Sequence, residues 1–342
     1  MHLTVHLPAL GAFAPSADDS TPAARPATPV LNALLGRASH RTAPYEAPWL
    51  HAAFGYGARL PMARLLARRD GVTWGNGGHG EDRDILLAEP VHLVADRDTV
   101  RLYPATHLAL DPIEVASMTG ALDAQFADLG LKFAVSDAGR MYVRLPRAER
   151  PDTVPAQHAA TQRLLEVQPR SLGALKWHAI QSEIEMLLHD HPVNALREKY
   201  GKPRVSGIWF WGEGDLCETA AVPFDVVTAD TDWAQQLARE AGIASAASDW
   251  STLGGARVLV HLGALEEARV RGDATRWAAQ LAALEAGWIK QIDHGLWNGN
   301  IETLTLVSET RDTRHTWQLS RSQHRYHVWK RPRAFDTFFA DA

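Results

Sequence analysis

Apolar positions along this chain follow two spacings in turn, and the exchange between them predicts strands layered with helices. Residues 2–7 alternate loosely and read as an opening strand. Residues 11–29 are rich in Ala, Pro, Ser and Asp and read as a long loop. Leu31, Leu34 and Leu35 share one face of a short helix over 30–38, and a second run covers 61–67. Residues 85–93 and 99–102 read as strands. Asp111 and Pro112 open an amphipathic helix over 111–129: the Asp side chain can accept from the first free amides, and Pro lacks an N–H that would go unused there. Residues 133–135 and 141–145 form a hairpin around Asp137, Ala138 and Gly139.

A polar segment over 146–169 separates this unit from a strong helix over 171–189, lined by Ile180, Ile184, Leu187 and Leu188 and stopped by Pro192. A buried strand over 205–211 runs into Gly212, Glu213 and Gly214. A helix over 232–241 closes at Gly242, a second buried strand spans 256–262, and a helix covers 276–292. Three antiparallel strands are expected over 302–307, 316–319 and 326–329. Buried strands alternating with helices imply an α/β core with a mainly parallel sheet. The expected organisation is a core in two pieces, 1–87 and 190–342, with an α+β insertion over 88–189.

Composition narrows the function classes. The 342 residues are 46% hydrophobic and 22% charged with a formal net charge of -5, ordinary for a globular protein and unfavourable for nucleic acid or an anionic membrane. One cysteine, Cys217, excludes an internal disulfide framework and a thiolate cluster. The start, MHLTVHLPAL, lacks a cationic segment ahead of an apolar one, and no window approaches a membrane span; a cytoplasmic protein is expected. There are 12 tryptophans against 6 tyrosines, so cores or interfaces rich in Trp are expected. The 16 histidines are scattered, and His189 and His191 read as structural residues at a helix end. The loop Gly75-Asn76-Gly77-Gly78-His79-Gly80 lacks the Lys-Ser/Thr of a phosphate-binding P-loop. The cations Arg321, Arg325, Lys330, Arg331 and Arg333, near His324 and His327, read as a solvated edge.

Three segments carry a resemblance. His191-Pro192-Val193-Asn194, Arg197, Gly201 and Ile208-Trp209-Phe210-Trp211-Gly212-Glu213-Gly214 resemble the HPxN…R…G…W-G-x-G segment of archaeal-type, cofactor-independent phosphoglycerate mutases, members of the alkaline-phosphatase superfamily. Residues 254–273 resemble that family's H-x-E-A-x-D-E-A-x-H-x-G-D segment, with His261, Ala264, Glu267, Ala268, Gly272 and Asp273 matching. Thr28-Pro29 to Asn32 resembles the entry to its first core helix. The chain is also similar, over nearly its full length, to the RpfE-type regulatory proteins of proteobacteria through AEPVHLVAD, HPVN and IWFWGEG. The resemblance implies a parallel-sheet core of alkaline-phosphatase type with an inserted, smaller α+β cap domain.

It also implies where chemistry would sit, and there the chain departs from the pattern. The mutases use two divalent metals and a serine that becomes phosphorylated. No D-G-x-G-D follows the opening strand, which continues as Pro8-Ala9-Leu10-Gly11. The metal aspartate falls on Glu266, the metal histidine on Val270, and the serine on Leu60 within Arg59-Leu60-Pro61-Met62-Ala63. The expectation is a non-catalytic regulatory or binding protein, a pseudoenzyme, retaining a pocket for a phosphorylated or carboxylated metabolite. Asn194, Arg197 and the Gly212, Glu213, Gly214 turn would line it, joined by Arg97 and Arg140, because guanidinium groups and exposed amides suit such anions. No cofactor is expected on this reading. The alternative is a mutase or another phosphate-ester enzyme with a rebuilt site holding Mn or Zn on His261, Glu266, Glu267 and Asp273. A third reading is an interaction subunit with a protein partner.

Overall fold

The structure, a computed structural model, describes residues 1–13, 26–46, 48–57, 59–74, 85–96, 99–145, 151, 153–160, 164–168, 174–214, 222–245, 256–310, 312–327 and 329–339. Its strands in chain order are β1 (His2–His6), β2 (Ser39–Pro44), β3 (Ile85–Asp96), β4 (Thr99–Tyr103), β5 (Lys132–Val135), β6 (Met141–Arg144), β7 (Gly207–Trp211), β8 (Val226–Ala229), β9 (Ala244–Ser245), β10 (Arg257–His261), β11 (Thr303–Glu309) and β12 (Thr313–Ser320). The chain divides into two compact units, Met1–Ala58 with Cys217–Ala342, and Arg59–Leu216.

The first unit is built on a sheet ordered β2-β12-β11-β1-β10-β8-β9. β11, β1, β10, β8 and β9 run parallel, while β12 opposes both of its neighbours. Leu3 and Val5, Val258 and Val260, and Leu304 and Leu306 put every second side chain of three adjacent strands into one core. Leu31, Leu34 and Leu35 of the helix Pro29–Arg37 and Trp277, Leu281 and Leu284 of the helix Ala274–Leu284 join it. The helix expected over 276–292 is divided by a π-helical turn, Glu285–Ile289, and resumes over Lys290–Asn298. Glu285 is buried there, and its carboxylate accepts from Val30 N at 2.7 Å and Leu31 N at 3.1 Å. These two bonds to the first amides of Pro29–Arg37 replace the side-chain cap that helix lacks.

The second unit has an antiparallel sheet ordered β4-β3-β6-β5, with β7 also paired to β3. The helix Pro112–Gln125 begins with a reciprocal cap: Asp111 Oδ1 accepts from Ile113 N at 2.7 Å, and Asp111 N donates to Glu114 Oε2 at 2.9 Å. Val115, Met118 and Leu122 pack with Phe133 and Val143 of the hairpin and with Trp177, Ile180 and Ile184 of the helix Ala174–His189.

Four expectations change. The strand expected over 205–211 within the parallel core is β7, antiparallel to β3, with Leu87 opposite Trp211 and Val91 opposite Gly207. That pairing carries the second unit from before residue 88, its expected start, to beyond residue 189, its expected end. Pro192 opens a helix, Pro192–Lys199, as well as ending the previous one; Val193 N donates to His191 Nδ1 at 3.2 Å. Tyr326, expected to open a strand over 326–329, instead ends a helix, Arg321–Tyr326, whose first turn Ser320 and Gln323 cap reciprocally, and the described residues His327 and Trp329 lie in no strand. β2 and β8 were not foreseen, the one too polar and the other too short to show a pattern. The loop over 75–80 lies outside the described residues. Among the described residues, no helix is long and apolar enough to cross a membrane.

Candidate functional site

Parallel strands bring their carboxyl ends to one edge, where loops can present side chains to a ligand. In the first unit His6 ends β1 and His261 ends β10, and the register sets the two residues directly opposite. Neighbouring partners in a parallel pair project to the same face, so the imidazoles meet, Nδ1 to Nδ1 at 3.0 Å with ring centroids 5.1 Å apart. Glu309, ending β11, places Oε2 3.3 Å from His6 Nε2, and its Oε1 accepts from Trp49 N at 2.7 Å. One hydrogen must lie between the two Nδ1 atoms. The direction depends on the tautomer: with a single hydrogen on His6, at Nε2 toward Glu309, His261 Nδ1 donates to His6 and His261 Nε2 is left as an acceptor.

That atom is buried and has no partner among the described residues. Burial, followed by the nearness of His6, pushes the His261 imidazole well below its ordinary range, so it is neutral. Gly263 adjoins it: a Cβ there would stand 3.1 Å from His261 Nε2, 2.6 Å from Thr231 Cγ2 and 3.5 Å from Asp230 Oδ1. Asp230 follows β8 and accepts from Gly263 N at 2.7 Å and Ala264 N at 3.3 Å. Desolvation raises its carboxyl against those hydrogen bonds. Trp49 lies 5.2 Å from His6 and Trp233 5.3 Å from His261, centroid to centroid. The result is a carboxylate–imidazole–imidazole chain with aromatic neighbours, ending in a hydrogen-bond acceptor.

The residues expected to hold a metal are placed otherwise. Glu266 accepts from Arg269 Nε at 2.8 Å and Nη2 at 2.5 Å. Glu267 accepts from Arg271 at 2.7 Å and Arg276 at 3.4 Å. Asp273 caps the helix Ala274–Leu284 by accepting from Arg276 N at 2.8 Å. No group of three or more His, Cys, Asp or Glu among the described residues is arranged to hold an ion. Mn or Zn therefore does not fit the expected set.

The expected anion pocket falls in the second unit, and the fold already uses its members. Asn194 is buried; its amide donates to Leu188 O and Val205 O at 2.7 Å each and accepts from Val205 N at 2.8 Å. Arg197, 1% exposed, donates to Pro203 O at 2.7 Å, Glu114 Oε2 at 2.7 Å and Leu108 O at 2.5 Å. The Gly212–Gly214 turn is filled by protein. A Cβ on Gly212, whose φ is +91°, would lie 2.9 Å from Ala63 N, and one on Gly214 would lie 2.4 Å from the Leu60 carbonyl carbon. Glu213 takes Arg59 at 2.9 Å. Arg140 grips Asp70 through Nε at 2.8 Å and Nη2 at 2.6 Å, with Tyr142 Oη donating to the same carboxylate at 2.7 Å. Burial works to raise Asp70, but the hydrogen bonds from Arg140, Tyr142 and Ser136 hold it below the usual carboxylate range. Arg97 lies outside the described residues.

His6, Asp230 and Glu309 were missed because each is a single polar residue at a strand end, and only strand order unites them. Glu89 was missed too. It lies on β3, where Trp211 Nε1 donates to Oε2 at 3.0 Å and Ala105 N to Oε1 at 3.3 Å, and burial pushes its carboxyl up to about 7.

No family model and no curated protein matches this chain. Among solved structures, a cofactor-independent phosphoglycerate mutase from Thermoplasma acidophilum DSM 1728 aligns over 93% of this chain and 89% of its own, at 14% identity and a TM-score of 0.39, too loose a likeness to carry an argument. The PH0037 protein from Pyrococcus horikoshii aligns over 93% of this chain and 87% of its own, with 12% identity and a TM-score of 0.55, and the chain therefore shares the fold of that protein.

Proposed function

We propose that this chain is a non-catalytic regulatory or binding protein on a scaffold of phosphoglycerate-mutase type. What carries the reading is the state of the positions where the mutase chemistry would sit. Leu60 stands at the serine position and Val270 at a metal histidine, and neither hydrocarbon can attack phosphorus or ligate a cation. Glu266 is held at both oxygens by Arg269 Nε and Nη2. The binding role moves to the carboxyl edge of the first unit's sheet, where His261 Nε2 offers a lone pair beside Asp230. An acceptor near a carboxylate suits a ligand bearing O–H or N–H groups better than a free phosphate.

A second reading, a phosphate-ester enzyme with a rebuilt metal site, draws on the position of His6 and His261 at the ends of adjacent parallel strands. The two readings part in an assay of 2- and 3-phosphoglycerate interconversion with Mn²⁺ or Zn²⁺ supplied. The first expects no turnover above the protein-free control. Turnover that disappears in His261→Ala would replace it with the second.

A further inference from the structure

After β12 the chain crosses the surface of the first unit as a strap, and its two sides differ in character. The inner side is fixed. His324 is fully buried, 5.0 Å from Trp297 by ring centroids, with Nε2 3.2 Å from Asp293 Oδ1 and Nδ1 3.2 Å from Arg37 Nη1. Arg333 N donates to Asn32 O at 3.0 Å. Gly36 lets the strap lie close, since a Cβ there would stand 2.6 Å from Arg331 O.

The outer side carries Tyr326 at 71% exposure and Trp329 at 72%, with exposed Arg325, Lys330 and Arg331 beside them in sequence. Arg321 and Arg333 are engaged, by Glu302 at 3.5 Å and by the Phe338 ring at 4.1 Å, whereas Arg325, Lys330 and Arg331 have no carboxylate partner among the described residues. Between Asp312 and Asp336 the sequence holds no acidic residue at all, although the chain as a whole is acidic. Large aromatics open to water lose the burial that normally stabilises them, and Trp, Tyr and Arg together are the residue types on which protein interfaces concentrate their energy.

We propose that exposed Arg325, Tyr326, Trp329, Lys330 and Arg331 form a docking surface for an acidic protein segment that also carries apolar side chains. Its carboxylates would meet Arg325, Lys330 and Arg331, and an apolar residue would cover Trp329 and Tyr326. Charge complementarity decides the class of partner. Three cations with no carboxylate partner among the described residues, on a chain of net charge -5, release too few counterions to hold a nucleic acid, but match a few carboxylates on a peptide. This surface is independent of the ligand proposed for the His6–His261 edge.

The test uses the full chain and a fluorescent synthetic peptide of mixed Glu, Asp and Leu, read by anisotropy. A Lys-for-Glu version of the peptide and a single-stranded oligothymidine serve as controls. Trp329→Ala and the triple change Arg325→Glu, Lys330→Glu, Arg331→Glu are compared after circular dichroism has established that both fold. The acidic peptide should bind, weaken with added salt, and lose about tenfold or more in affinity in each variant. Absence of binding, equal binding by both variants, or preference for the oligothymidine would overturn the proposal. So would a dimer in analytical ultracentrifugation that Trp329→Ala abolishes, since a second copy would then be the occupant.

Discussion

Asn194 and Arg197 separate what a residue type suggests from what its surroundings allow. An Asn and an Arg one helical turn apart, ahead of a Gly-x-Gly turn, are sound candidates for holding an anion when only the sequence is in view. In the fold each hydrogen-bonds backbone groups of its own unit from a buried position. The expected phenotype is therefore one of stability. Asn194→Ala takes the side-chain partner from the Val205 carbonyl and amide, while Leu188 O keeps His191 N at 3.2 Å, and should cost roughly 2–4 kcal/mol in urea unfolding. Arg197→Ala leaves Glu114 with its Asp111 N bond but without its cation, and should cost about 3–5 kcal/mol. A loss of ligand binding at unchanged stability would contradict this account of both residues.

Local signals settled most elements. The cap at Asp111, the run Leu31, Leu34, Leu35, the hairpin around Gly139 and the apolar stretch ending at His261 all lie where their patterns place them. Partnership was the illegible part. Nothing in Gly207–Trp211 marks it as the neighbour of β3 rather than of β10, because a buried strand has the same apolar run in either sheet. The candidate site was illegible for the same reason, since four strand ends distant in sequence supply it. The helix Arg321–Tyr326 shows a local signal overlooked: the capping box of Ser320 and Gln323 outweighs the aromatic character of the residues after it. Ser320→Ala should lower stability by about 1 kcal/mol and increase amide exchange through Arg321–Tyr326. Unchanged protection there would show that the cap does not hold the helix.

At the scale of the whole molecule the two units should answer acid with opposite signs. In the second, Glu89 titrates near 7 when folded against an ordinary 4.5, so the unfolded chain ionises first as pH rises. Its stabilising contribution is full below 4.5 and is lost as pH passes 7, a swing on the order of 3 kcal/mol. Burial lowers His191 in the same unit and offsets part of it, so the comparison that isolates Glu89 is wild type against Glu89→Gln. In the first unit burial, then the neighbouring His40, lower His315 to about 4, and burial lowers His261. A buried neutral histidine stabilises fully above 6.5, and that stability is lost as pH falls. Hydrogen exchange at pH 7.5 and 5.5, corrected for intrinsic rates, should show the first unit weakening on acidification. The second should gain, and the Glu89→Gln substitution should flatten its slope. Parallel changes in both units would contradict these assignments.

The central proposal is that this scaffold carries a site not built for metal-assisted phosphate chemistry. The most direct measurement is the melting temperature with Mn²⁺ or Zn²⁺, each with and without 3-phosphoglycerate. A ligand at 100 times its dissociation constant stabilises by about 2.7 kcal/mol, enough to read as a clear shift. The expectation is no shift with 3-phosphoglycerate, alone or with metal. A shift that requires metal and 3-phosphoglycerate together, and that vanishes in His261→Ala, would contradict it.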